Sequence, residues 1–179
     1  MRILTAPSGY AFDLMPPLAR IARADPGLAT QVRLLASDLD PSGQFEAEIA
    51  QKTRAAGAAF EFVRGDLTTR EWMERIAQDA PYDLVLFVGL SSWLPKPHLV
   101  NHFRFIRERL LAKDGALISD CFTPDGYSLS GKYAGYKANY YTPRDYSNIL
   151  AYCGFDPQKI SWQSGAEGIN HVCVARVGE

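Results

Sequence analysis

The sequence predicts a doubly wound α/β fold, and three observations carry that reading. Short apolar runs alternate with helical stretches along nearly the whole chain, the pattern that builds a parallel sheet through right-handed crossovers with helices on both faces. One run, Leu84-Val85-Leu86-Phe87-Val88, is continuously apolar, as suits a strand buried on both sides. The last two strands are joined only by Gln163-Ser164-Gly165-Ala166-Glu167-Gly168, too short a loop for a parallel crossover, so they pair antiparallel. The expectation is six parallel strands and one antiparallel strand. The 179 residues amount to one domain, 1–179.

The elements follow in order. Met1 to Thr5 is a strand, and Leu14 to Ala24 a helix stopped by Asp25-Pro26-Gly27. Pro16-Pro17 sits where that helix should already run, so either it starts late, with Pro17 in its first turn, or it is kinked. Val32–Ala36 is the second strand, Gly43–Ala56 an amphipathic helix, and Phe60–Val63 the third strand. Thr69 caps a helix running to Gln78. The fourth strand, Tyr82–Val88, leads to a long helix from about Pro97 to Ala112, broken by Lys113-Asp114-Gly115. Ala116–Phe122 is the fifth strand. Thr123–Tyr141 has neither period and is rich in Gly, Tyr, Ser and Lys, which marks either a functional connection or a surface loop that its Tyr and Gly merely order. Thr142-Pro143 opens a helix to Tyr152, and Ile160–Trp162 and Val172–Arg176 complete the sheet.

Composition narrows the partners. A net charge of -1 supplies no electrostatic footprint for nucleic acid or an anionic membrane, and no apolar window of transmembrane length occurs. Cys121, Cys153 and Cys173 are far apart and lack metal-ligand spacing, so they read as reduced thiols of a cytoplasmic protein, with no metal.

In open α/β sheets, ligands bind beyond the carboxyl ends of the strands. Three turns matter there. Ala6-Pro7-Ser8-Gly9 lets backbone approach a ligand closely. Asp38, at the second strand's end, can accept ribose hydroxyls, or it can serve only as a turn residue in Asp-x-Asp-Pro. Asp66, after the third strand, can accept from an exocyclic amine, or form an Asx turn before a helix.

Taken together, Ile3–Gly9, Leu34–Pro41, Phe62–Leu67, Tyr82–Leu90, Lys113–Cys121, Thr142–Phe155 and Asn170–Arg176 resemble the successive motifs of class I S-adenosylmethionine-dependent methyltransferases. The resemblance spans essentially the whole chain. It implies strand order 3-2-1-4-5-7-6 with the last strand antiparallel, S-adenosylmethionine as cofactor, and methyl transfer. It also implies roles by position. Asp38 would hold the ribose with Leu39 against adenine, and Asp66 would meet the adenine amine with Leu67 beside it. Val88, Gly89 and Leu90 would line the methionine side, and Ala6, Pro7, Ser8 and Gly9 would replace the glycine-rich loop. That loop departs from the family pattern. Thr5 stands at the acidic position, Pro7 and Ala11 replace two glycines, and only Gly9 matches.

For the acceptor, Trp93, Tyr133, Tyr136, Tyr140 and Tyr141 could form an aromatic wall near the sulfonium charge. Neutral charge and these aromatics favour a small-molecule substrate. His98, Tyr136 and Tyr140 are candidates for the catalytic group, with His98 either a base or an uninvolved histidine. His102, four residues on, shares that helix, and His171 reads as structural. The chain starts at the first strand, so a lid is expected from a missing amino-terminal domain or a partner. The competing expectation is a methyltransferase-like binding or assembly domain that has lost catalysis. A dinucleotide-dependent dehydrogenase is disfavoured, because the first turn lacks Gly-x-Gly-x-x-Gly.

Overall fold

The computed structural model describes residues 1–123 and 138–177. Seven strands form one sheet: β1 (Arg2–Thr5), β2 (Arg33–Asp38), β3 (Ala59–Arg64), β4 (Tyr82–Phe87), β5 (Leu111–Phe122), β6 (Phe155–Ser164) and β7 (Asn170–Val177). Their order is β3-β2-β1-β4-β5-β7-β6. β1 pairs in parallel with β2 and β4, and β2 with β3. β7 runs antiparallel to both β5 and β6, as the short final loop requires. This is the strand order and polarity of the class I methyltransferase fold. Two compact units divide the chain, Met1–Leu86 and Phe87–Glu179.

In the first unit, α1 (Met15–Ala24) starts late and carries both prolines in its opening turn. A first-turn N–H has no helical partner, so proline loses nothing there. Asp25-Pro26-Gly27 does end α1, but it also opens a further turn of helix, α2 (Pro26–Ala29), where Asp25 Oδ1 accepts from Leu28 N at 2.9 Å. α3 (Gln44–Ala55) packs on β2 and β3. α4 (Arg70–Ala77) is capped by Thr69, whose hydroxyl accepts from Trp72 N. Ile3, Leu4, Leu34, Ala36, Ile49 and Ile76 are among the buried side chains of this unit.

The second unit corrects one expectation. α5 (Lys96–Phe105) does not continue to Ala112. It widens into a π-helical turn over Ile106–Leu110, and the chain is already extended at Leu111. Ile106 and Leu110 are both buried, so the turn keeps both apolar side chains in the core while Glu108 and Arg109 face outward and Arg107 is half-buried. β5 therefore begins before Lys113-Asp114-Gly115, yet its ladder with β7 starts at Ala116. α6 (Pro143–Tyr152) is capped by Thr142, which accepts from Asp145 N at 3.1 Å, and lies on β6. Phe103, Tyr146 and Trp162 stack edge to face through this core, with centroids 5.5 and 5.8 Å apart.

Candidate functional site

The first loop leaves β1 at Thr5 and is held by its neighbours at almost every step. Ala6 N donates to Leu86 O at 2.9 Å, and the Ala6–Pro7 peptide is cis. Ser8 N donates to Ser37 O at 2.9 Å, and Gly9 N donates to Asp38 Oδ2 at 2.8 Å. Ala11 N then closes onto Ser8 O at 2.7 Å. Gly9 has φ +46°, and a Cβ built there would meet no atom within 4 Å. Ala11 has φ +50°, a left-handed backbone that suits glycine and costs an alanine about 1–2 kcal/mol. The loop thus has a glycine-type turn at a position where the sequence carries alanine.

Asp38 is half-buried, and its other oxygen accepts from Leu39 N at 2.8 Å. A carboxylate has about four lone-pair sites, so two backbone bonds leave capacity for further donors. Leu39 beside it is 57% exposed, an open apolar face at the end of β2. Asp66 lies exposed past β3, and its Oδ1 accepts from Thr68 N at 2.9 Å and Thr68 Oγ1 at 2.7 Å. Those bonds hold its carboxyl below the usual range. The Asx turn is therefore real and occupies one oxygen. Leu67 is buried.

Sequence reasoning missed three residues that build this region. Ser37 and Trp72 form a buried hydrogen-bonded pair, Trp72 Nε1 to Ser37 Oγ at 2.6 Å. The signal was a lone hydroxyl in the apolar run Leu34-Leu35-Ala36-Ser37, but its partner lies 35 residues away. Asp40, the second acid of Asp-x-Asp-Pro, caps α3 by accepting from Glu46 N at 3.0 Å. Burial works against its charge, but bonds from Glu46, Phe45 and Ser42 outweigh it and hold the pKa low.

In the second unit, Val88-Gly89-Leu90 forms the turn after β4. Gly89 has φ +85° with open space where a Cβ would be, and its N–H donates to Asp120 Oδ1 at 2.9 Å. Ser91 Oγ donates to the Asp120 carbonyl. Asn139 stitches the same stretch, its N to Ser92 O at 2.6 Å and its Nδ2 to Leu94 O at 2.9 Å. Trp93 is half exposed, and Tyr140 and Tyr141 are half-buried. Burial raises the Tyr141 pKa. Tyr133 and Tyr136 lie outside the described residues. His98 is exposed in the first turn of α5, and its carbonyl accepts from His102 Nδ1 at 2.8 Å. His171 is buried and ties the β6–β7 connection, with Ser164 Oγ at 2.8 Å and Gly168 O at 3.0 Å. No cluster of metal-ligating side chains occurs among the described residues.

No protein-family model matches the chain, and no curated protein is similar to it. Solved structures do share its fold. One is described as a possible exported protein from Bordetella parapertussis, with TM-score 0.72 and 20% identity over 99% of this chain and 62% of that one. Another is an O-methyltransferase family protein from Burkholderia thailandensis, with TM-score 0.70 and 13% identity over 99% of this chain and 51% of that one. A third is magnesium protoporphyrin IX methyltransferase from Synechocystis with bound SAH, with TM-score 0.65 and 18% identity over 98% of this chain and 74% of that one. The fold is that of S-adenosylmethionine-dependent methyltransferases. The chain spans about 62% of the first of these structures and about half of the second. Among the described residues, no helix is long and apolar enough to cross a membrane.

Proposed function

We propose that the chain binds S-adenosylmethionine and transfers its methyl group to a small-molecule acceptor. The observation that carries this reading is the Asp38 carboxylate, tied to Gly9 N at 2.8 Å and flanked by the exposed Leu39. A charged acceptor and an open apolar face at one strand end suit a nucleoside, whose ribose needs acceptors and whose base needs an apolar cover. The open space at Gly9 fits a ligand that approaches backbone closely, since a side chain there would fill it.

Asp38 and Leu39 would hold the adenosine, Asp66 would accept from its exocyclic amine, and Ala6–Gly9 would lie near the methionine end. Val88, Gly89 and Leu90 are assigned to the methionine side as well. The cofactor supplies an electrophilic methyl on a sulfonium. The chain's own task is to orient the acceptor and exclude water. Trp93 and Tyr140 are the described aromatics offered for that task, and His98 and Tyr140 the described candidates for taking a proton. A cytoplasmic setting belongs to the same proposal, because all three cysteines are free and buried.

Calorimetry with S-adenosylmethionine and with S-adenosylhomocysteine tests the reading. Saturable binding of both, weakened by Asp38→Ala, is expected. Absence of binding at millimolar ligand overturns it and returns the chain to a methyltransferase-like binding or assembly module.

A further inference from the structure

α4 begins directly after the Asp66 turn, and a side chain in the first turn of a helix leans back over the chain that precedes it. Trp72 does this. Its indole lies against Gly65, so that a Cβ at Gly65 would stand 3.1 Å from Trp72 Cδ1. Its N–H reaches Ser37 Oγ at 2.6 Å, and that hydroxyl in turn donates to Val63 O at 2.6 Å. Trp72 is 6% exposed and Ser37 0%.

The pair therefore joins three strand-end segments. Ser37 precedes Asp38 and its carbonyl accepts from Ser8 N, so it also holds the first loop. Gly65 precedes Asp66, and Gly65 N donates to Asp38 O at 3.1 Å. Thr69, which caps the helix at Trp72 N, donates from both its N–H and its hydroxyl to Asp66 O, at 3.0 and 2.8 Å. The Gly65–Asp38 bond links the two strand ends directly, and Ser37, Trp72 and Thr69 brace the segments on either side of it. The carboxylates themselves are held only by their own loops, Asp38 by Gly9 N and Leu39 N and Asp66 by Thr68, so their separation follows that of the segments behind them.

We infer that Trp72 is a positioning residue for base specificity: through Ser37 and Gly65 it fixes Asp66 relative to Asp38, so that a bound nucleoside meets both carboxylates and adenine is preferred over a base lacking the 6-amino group. This rests on the cofactor reading above. A 6-oxo base turns an acceptor-facing donor into a second acceptor, which Asp66 rejects only while it is held in place.

The test compares S-adenosylhomocysteine with S-inosylhomocysteine by calorimetry on wild type, Trp72→Phe and Ile76→Val. Ile76 is buried in the same helix but away from the strand ends, and serves as the control for lost packing. The expected result is a preference for the adenosyl ligand in wild type, reduced about tenfold in Trp72→Phe and unchanged in Ile76→Val. Unchanged preference in Trp72→Phe, or an equal loss in Ile76→Val, overturns the assignment while leaving the cofactor reading intact. No binding of either ligand to wild type overturns both. If Trp72→Phe does not fold, Gly65→Ala, which presses on the same ring, takes its place with the same expected loss of preference.

Discussion

Replacing Ser119 by alanine is expected to cost more than replacing its partner Tyr146 by phenylalanine. Both side chains are fully buried, and their oxygens lie 2.7 Å apart. Ser119 Oγ donates its only proton to Phe87 O at 2.8 Å, so the phenol must donate to Ser119. Tyr146→Phe removes one donor and leaves Ser119 still paired, a loss of about 0.5–1.5 kcal/mol. Ser119→Ala strands the Phe87 carbonyl away from water and takes from the phenol one of its two hydroxyl partners, leaving Ser91, for a loss of about 1–3 kcal/mol. The double variant strands only the carbonyl and should be no worse than Ser119→Ala alone. Thermal unfolding followed by circular dichroism reads all three; at this chain length each kcal/mol moves the midpoint temperature by about 2–4 °C. Additive losses, or a Tyr146→Phe variant less stable than Ser119→Ala, would refute the donor order. The phenol offers a second check, because burial raises its pKa well above the ordinary value. The folded state holds the phenol neutral, so its contribution is complete below the unfolded value near 10 and is lost as pH rises beyond it. Tyr146→Phe should therefore flatten the alkaline decline in stability.

Other perturbations fall on the first unit. Asp38→Ala removes the acceptor of Gly9 N and Leu39 N, and should weaken S-adenosylhomocysteine binding by about ten- to a hundredfold while lowering the unfolding midpoint. Asp38→Asn keeps one acceptor oxygen and should show the smaller loss in both; equal losses count against the geometric role. Asp40 and Asp66 both have lowered folded pKa values. Their stabilisation is thus present above the unfolded carboxylate value near 4 and is lost as pH falls through the lower folded values. Asp40→Asn should shallow the acid limb of a stability-against-pH curve, and an unchanged limb would show that the α3 cap does not depend on charge.

Local signals were the ones that survived from sequence to structure. Thr69 and Thr142 cap the helices they precede, because a cap needs only a hydroxyl and a neighbour three residues on. The antiparallel β7 follows from loop length alone. Pro16-Pro17 does mark a late helix start. The helix after β4 ends earlier than its apolar spacing through Leu110 predicts, because that spacing does not distinguish α from the wider π turn. At the candidate site, Asp38 and Asp66 were legible as polar residues closing apolar strands. What they touch was not. The Asp38–Gly9, Ser37–Trp72 and Gly89–Asp120 bonds span 29, 35 and 31 residues, and no local pattern encodes such a pairing. Tyr133 and Tyr136, proposed for the acceptor, lie outside the described residues and stay with that proposal.

The left-handed turn at Ala11 bears on how this fold drifts. A glycine-rich signature is a property of single letters, and here two of those letters have gone while the turn remains. Its shape is stored instead in pairs, Ser8 with Ser37 and Gly9 with Asp38. Mutational tolerance should then be lopsided: Ala11, buried and left-handed, admits little beyond glycine, and Asp38 is the side chain on which the Gly9 end of the turn depends. Part of what shapes this loop therefore sits 29 residues away, in one carboxylate that no reading of the loop's own letters would show.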